Sequence, residues 1–232
     1  MRSSVGSAQK IRALLFDFDG VLVDSERLHL EMFRCVLAEK GLSLSEEDYF
    51  ERYLGLDDRG CFEAVYRDRG LEPDPQEWER LIRLKHQYFM EESAKRAPFL
   101  PGAQEVISKA AGRFFLAIVS GALRAEVEMA LVSGGWKDKF SVIVAAEDVK
   151  QGKPHPEGFL KALRVLNRDF VPASEILLAN ECLVIEDSPW GIEAGLKAGC
   201  RVLGLSTSYP AQKLKGAERV IPNLLALRLD EL

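Results

Sequence analysis

Two aspartates separated by one aromatic residue, Asp17-Phe18-Asp19, end an apolar run that begins at Leu14, and Gly20 follows them. A buried charge is costly unless something pairs with it, so acids at the end of a core strand call for a partner. Residues i and i+2 of an extended strand point the same way, so Asp17 and Asp19 can share a face. Gly20 permits the turn that comes next. Other apolar runs also end in polar groups: Ser120-Gly121, then Glu147-Asp148 with Lys153 beyond them, then Glu186-Asp187-Ser188. Asp17, Asp19, Glu186 and Asp187 gathered in one place would repel each other and raise some of their pKa values unless a cation were present. Oxygen-only ligation suits Mg²⁺, which takes one or two carboxylates and binds phosphate oxygens. Lys153 and Ser120 suit a phosphate instead, as a point charge and a hydroxyl donor. A carboxylate, a metal and a phosphate within reach of one another describe phosphoryl transfer to an aspartate. Glu186 and Asp187 are adjacent and would diverge on a strand, so one reads as a direct metal ligand and the other as acting through water or a hydrogen bond.

Five nearly continuous apolar runs must position these groups: 11–19, 114–120, 140–146, 182–187 and 201–206. Continuous rather than alternating apolar character fits parallel strands buried on both faces. Helical segments separate the last four runs. SPWGIEAGLKAGC has Ser188 as N-cap, Pro189 at the first helical position and Gly199 as a stop. Strand and helix in alternation predict a doubly wound α/β sheet, whose ligands bind at the carboxyl ends of the strands. Gly191, Gly195 and Gly199 are spaced so that a helix can approach the sheet closely.

The segment from about Ser25 to Arg96 has no strand-like run. Ser25 reads as the cap of a helix with Leu28, Met32, Cys35 and Val36 on one face, and Ser45 to Asp48 reads as a capping box. A later helix carries Trp78, Leu81, Ile82, Lys85 and Phe89 on one stripe, and PFLPG at 98–102 marks the return to the sheet. Three or four helices make a small bundle inserted after the first strand. The expected division is therefore residues 1–24 with 97–232 for the sheet, and 25–96 for the bundle.

The chain has 232 residues, is 47% hydrophobic and 29% charged, and carries a net charge of -5. This is ordinary globular composition with no global basic field, so nucleic acid is not expected as a partner. Cys35, Cys61, Cys182 and Cys200 form no CxxC pair, and a reduced, cytoplasmic chain is the simplest reading. MRSSVGSAQK has no apolar signal region and reads as a disordered tail, and no run is long enough to span a bilayer.

DFDGVLVDSE, VSGA, GKPHPEGF and VIEDSPWGIEAG resemble, in order and spacing, the four motifs of the haloacid dehalogenase-like hydrolases. The resemblance covers almost the whole chain, and its nearest group contains the β-phosphoglucomutase-like and phosphoglycolate-phosphatase-like enzymes. It implies a Rossmann-like core with an inserted helical-bundle cap domain after the first motif. It implies Asp17 as nucleophile forming an aspartyl-phosphate, and Asp19 as acid to the leaving group and then base to water, its backbone carbonyl also holding Mg²⁺. Ser120 and Gly121 would bind the phosphoryl group and Lys153 would neutralise it; Asp187 would bind Mg²⁺ directly and Glu186 indirectly. His29 matches a position that can face the active site, while Arg59 and Lys85 are candidate substrate contacts from the cap.

The reading that follows is a Mg²⁺-dependent phosphatase acting on a small phosphorylated metabolite of phosphoglycolate or sugar phosphate type, with no obligate protein partner evident. The alternative is a sugar phosphomutase of β-phosphoglucomutase type, which shares every core residue. Against the mutase stand the loop Gly55-Leu56-Asp57-Asp58-Arg59 and Ala122, where mutases of this group place a serine with an arginine and a second serine. A dehalogenase needs neither a second acid nor a metal, and a phospho-accepting receiver is about half this length and lacks a cap. Each acid also has a plain structural reading: Asp-Gly is a turn signal, Ser120 and Glu186-Asp187-Ser188 suit helix starts, and Asp148 and Asp24 suit loop or linker roles. His86, His155, Trp78 and Trp136 read as structural.

Overall fold

The structure, a computed structural model, describes residues 10–54, 56, 58–72, 74–95 and 98–232. The tail MRSSVGSAQ and two members of the expected loop, Gly55 and Asp57, lie outside the described residues. The chain separates into two compact units, one of Met1–Asp24 with Ala97–Leu232 and one of Ser25–Arg96.

The first unit is built on six parallel strands: β1 (Ala13–Phe16), β2 (Phe115–Val119), β3 (Val142–Val144), β4 (Cys182–Glu186), β5 (Arg201–Leu205) and β6 (Arg219–Ile221), in the order β3-β2-β1-β4-β5-β6. Its central strand is β1, with Phe16 opposite Ile118 on one side and Ile185 on the other. Alternate residues feed two cores. Leu14, Phe16, Ile118 and Ile185 face one, with Ile107, Leu131 and Trp136; Ala13, Leu15, Val119 and Val184 face the other, with Phe159, Leu166 and Ile192. Burial on both faces is why these strands read as unbroken apolar runs. The covering helices are α5 (Ala103–Ala110) and α6 (Arg124–Ser133) on the first face, and α7 (Glu157–Asp169) and α8 (Pro189–Lys197) on the second.

Helix α8 starts as the sequence implies, with Ser188 Oγ accepting from Gly191 N at 3.0 Å and Pro189 in the first turn. Its glycines are spacers. A Cβ on Gly195 would lie 3.0 Å from Val202 and 3.2 Å from Val184.

The second unit holds α1 (Ser25–Ala38), the short α2 (Glu46–Asp48) running into a wider turn over Tyr49–Tyr53, α3 (Asp58–Arg67) and α4 (Pro75–Lys95). Phe33, Val36, Leu37, Phe62, Val65 and Leu81 form its main core, and Leu28, Met32 and Phe89 a smaller one. Ser45 caps α2 by accepting from Asp48 N at 3.0 Å. The chain leaves and re-enters the sheet unit as a paired ribbon, with Asp24 N donating to Pro98 O at 2.7 Å and Leu100 N to Leu22 O at 3.0 Å.

Four local expectations need correction. The sheet has a sixth strand, β6, which opens on an exposed arginine and buries only Ile221, so it offers no apolar run. Helix α5 was not foreseen. Ser25 opens α1 rather than capping it, and its buried Oγ has no hydrogen-bond partner. Cys35 is exposed, because the buried stripe of α1 splits between two cores and Cys35 falls outside both. Among the described residues no helix is long and apolar enough to cross a membrane.

Leu15 is wholly buried on the central strand. Leu15→Ala is expected to cost about 2–5 kcal/mol, read as a lower midpoint in urea unfolding. A cost under about 1 kcal/mol would mean this strand is not the packed centre described.

Candidate active site

The polar groups that end the strands meet at one edge of the sheet. Asp17 continues the ladder one residue past β1, its N–H donating to Ile185 O at 2.9 Å. The chain then turns: Leu22 N donates to Phe18 O at 2.8 Å, and Gly20 N to Val23 O at 2.8 Å. Gly20 has φ of 74°, and a Cβ there would fall 1.9 Å from Asp187 Oδ2. Only glycine meets both demands.

Glu186, the last residue of β4, is 0% exposed. Its Oε2 accepts from Asp187 N (3.1 Å), Ser188 N (3.2 Å) and Ser188 Oγ (3.0 Å). A Cβ on Gly191 would sit 1.8 Å from this carboxylate, so the first turn of α8 is moulded around it. The other oxygen, Oε1, lies 2.5 Å from Lys153 Nζ but has no aligned hydrogen-bond donor. Lys153 Nζ also donates to Asp17 Oδ1 at 2.6 Å. Carboxylate oxygens of Asp17, Glu186 and Asp187 lie within 4.8 Å of one another, all three residues buried.

Electrostatics follow from this count of charges. Burial, then Glu186, pushes the Asp17 carboxyl well above its usual range, against the pull of Lys153. Burial, then Glu186, raises Asp187 to about 7, with the Ser208 hydroxyl opposing. Burial disfavours the Lys153 ammonium, yet Asp17 and Glu186 together outweigh it and hold its pKa above the ordinary value. The half-buried Asp19 stands outside the trio but close enough to add to the rise at Asp187.

Ser120 follows β2, with its N–H on Val144 O at 2.9 Å and its Oγ accepting from Ala122 N at 2.9 Å. Ser120, Gly121 and Lys153 line one cleft of about 450 Å³, with Gln151, Gly152 and His155 on its rim. The loop that carries Lys153 is tied down behind the cleft. Asp148 accepts from Ala145 N at 2.9 Å and pairs with Arg124 and with Lys161 (3.2 Å), contacts that hold its carboxyl below the usual range although burial opposes them. This is the loop role read for Asp148 from the sequence.

The helical unit has its own polar group. Lys85 Nζ lies 2.6 Å from Asp58 Oδ1 and 2.6 Å from His29 Nδ1. Arg59 is exposed on α3.

The sequence profile of the haloacid dehalogenase-like hydrolases matches residues 14–205. The protein CbbY of Rhodobacter capsulatus is 33% identical over 94% of this chain and 95% of its own length. The chain belongs to the haloacid dehalogenase-like hydrolases. A phosphorylated carbohydrates phosphatase of Thermotoga maritima is 28% identical over 84% of the chain and 85% of its own length. The crystal structure of CbbY from Rhodobacter sphaeroides in complex with phosphate superposes with a TM-score of 0.76 at 25% identity, over 94% of this chain and 96% of that one. With relatives of this kind over nearly its full length, the chain is a phosphatase of the family.

Within that family frame, sequence reasoning missed three polar neighbours. Ser208 hydrogen-bonds Asp187, and Thr207 Oγ1 donates to Gly20 O. Both follow β5, so the rule that located the other groups, reading what each strand ends in, would have found them at Ser206-Thr207-Ser208. Asp58 is the third. A lysine on an apolar stripe beside Leu81 and Phe89 was the available signal that a buried carboxylate must be near.

The Asp187 value has a consequence for stability. A carboxyl with a higher pKa folded than unfolded binds more protons in the folded state, so its contribution falls as pH rises. For Asp187 in metal-free protein the window runs from its ordinary 3.8 to about 7. With chelator present, Asp187→Asn is expected to raise Tm by a few degrees at about pH 8 and to leave it nearly unchanged at about pH 4. A lower Tm for the variant at the higher pH would contradict the assignment.

Proposed function

We propose that this phosphatase is Mg²⁺-dependent and hydrolyses a small phosphorylated metabolite, of phosphoglycolate or sugar phosphate type, through an aspartyl-phosphate on Asp17. The observation that carries the reading is the buried Asp17 carboxylate, 2.6 Å from Lys153 Nζ and grouped with Glu186 and Asp187.

The donor set fits Mg²⁺. Three buried carboxylates stand against one ammonium, and Glu186 Oε1 has no aligned donor. Such an excess of buried negative charge favours a hard divalent cation with oxygen ligands. Asp17, the backbone carbonyl of Asp19 and Asp187 would hold it directly and Glu186 indirectly; when bound it would offset negative charge on the phosphoryl oxygens.

The chain's own residues account for the rest. Asp17 attacks phosphorus as the ester oxygen departs, and Asp19 gives that oxygen its proton. Water then attacks the phosphorus of the aspartyl-phosphate, Asp19 takes a proton from it, and phosphate leaves with Asp17 restored. Ser120 and the Gly121 N–H bind phosphoryl oxygens, and Lys153 neutralises their charge. In the helical unit, His29 and Arg59 contribute to recognition of the remainder of the substrate, while Lys85, expected from the sequence as a contact, is buried against Asp58 and acts through His29.

Phosphate release should be measured with Mg²⁺ over phosphoglycolate, hexose and pentose phosphates, sugar bisphosphates and nucleotides, with product sugars checked for isomerisation. One compound is expected to release phosphate well above the rest. Asp17→Asn should lower its turnover by more than about a thousandfold with the fold intact, and a chelator should stop the reaction while leaving the helical signal largely unchanged. Isomerised sugar with little free phosphate would replace this reading with a phosphomutase. Turnover by Asp17→Asn near that of the parent would sink the mechanism.

A further inference from the structure

A second buried charged group lies wholly within the helical unit. Lys85 on α4 is 2% exposed, and lysines are almost never buried so deeply unless paired. Its Nζ meets Asp58 Oδ1 from α3 and His29 Nδ1 from α1, each at 2.6 Å. The ammonium also stands 4.8 Å from the centre of the Phe33 ring and 5.5 Å from that of Phe89. His29 stacks on Phe89 with ring centres 4.3 Å apart and planes at 13°. Three helices thus supply one contact chain, from Asp58 through Lys85 to His29.

An ammonium has donors only, so the histidine atom facing it must accept. Nδ1 then carries no hydrogen and the ring proton sits on Nε2. A proton added at Nδ1 would set N–H against N–H and one positive charge beside another. Burial first, and Lys85 second, hold His29 down to about 3. The other titratable neighbours are already committed: Glu26 on α1 accepts from the Tyr49 hydroxyl at 2.8 Å, and the Cys61 thiol on α3 is pushed up to about 12 by burial and by Asp58.

We propose that Asp58 is a positioning residue which, through Lys85, fixes the proton of the buried, uncharged His29 on Nε2. The helical unit then offers the substrate a neutral donor, suited to a hydroxyl or carbonyl oxygen of the leaving group. Lys85 itself is not suited to a second phosphoryl group, because its ammonium is taken by Asp58. The substrate half of this statement rests on the proposal above that the helical unit contributes to recognition; the state of His29 does not.

The test is the long-range ¹H–¹⁵N correlation of the imidazoles in labelled full-length protein, from about pH 5 to about pH 8, with His29 assigned by its loss in His29→Gln. The parent should show one Nε2-protonated tautomer throughout. In Asp58→Asn, Lys85 loses its anchor, and His29 should show mixed tautomers. Lys85→Met should give the same change and carries the same reading if Asp58→Asn folds poorly; the double variant should add nothing further. In the same Asp58→Asn protein, kcat/KM for the best monophosphate should fall about tenfold, the worth of one neutral hydrogen bond, while the corresponding bisphosphate falls less or rises. A parent His29 that titrates near its ordinary value, or an unchanged His29 signature in both single variants, would overturn the assignment. If the imidazole behaves as expected but the monophosphate-to-bisphosphate ratio does not move, the tautomer stands and the substrate claim falls.

Discussion

Negative charge held out of water at the edge of a parallel sheet is the constraint on which the rest of this structure depends. Asp17, Glu186 and Asp187 lie within 4.8 Å of one another in buried positions, and Lys153 meets two of them. Carboxylates so placed are expensive unless paired and hydrogen-bonded. The neighbouring structure supplies both. β1 and β4 are adjacent in the sheet, so their exits are side by side. Three donors fix one oxygen of Glu186, and the loop bearing Lys153 is fastened from behind by Asp148.

Close packing around these charges dictates residues that do no chemistry. Gly20 leaves room for Asp187, and Gly191 leaves room for Glu186. Ser188 links the two tasks, since its hydroxyl donates to Glu186 and accepts from the first turn of α8. Helix start and charged site are one construction here, and a reading of Glu186-Asp187-Ser188 as either a cap or a site is a reading of both. The helical unit repeats the principle on a smaller scale, where Asp58 compensates a lysine that the core of that unit has enclosed.

Much of this was legible in the sequence because burial on two faces leaves a strong signal. Continuous apolar runs mark β1 to β5, and the rule that ligands sit at strand exits draws attention to Asp17, Ser120, Lys153, Glu186 and Asp187. The parts that escaped had weak local signals. β6 gains its identity from pairing with β5, not from its own three residues. The partner of Lys85 lies 27 residues away on another helix, and spacing within one helix cannot reveal it. Cys35 and Ser25 were misread because periodicity gives a face but not which of two cores that face meets, and a serine before an apolar stretch signals a helix start only to within a residue. Thr207 and Ser208 were readable by the same strand-exit rule and were passed over.

The most direct test of the account is chemical trapping of the phosphorylated enzyme. Protein mixed with Mg²⁺ and its best substrate would be quenched in acid, reduced with borohydride and mapped by peptide mass spectrometry. An acyl phosphate on Asp17 would be reduced to homoserine at position 17, absent when substrate is omitted. The account predicts that product at position 17 and at no other acid. Homoserine at another aspartate, or none under conditions where substrate turns over and a known acyl phosphate is trapped alongside, would contradict Asp17 as the nucleophile.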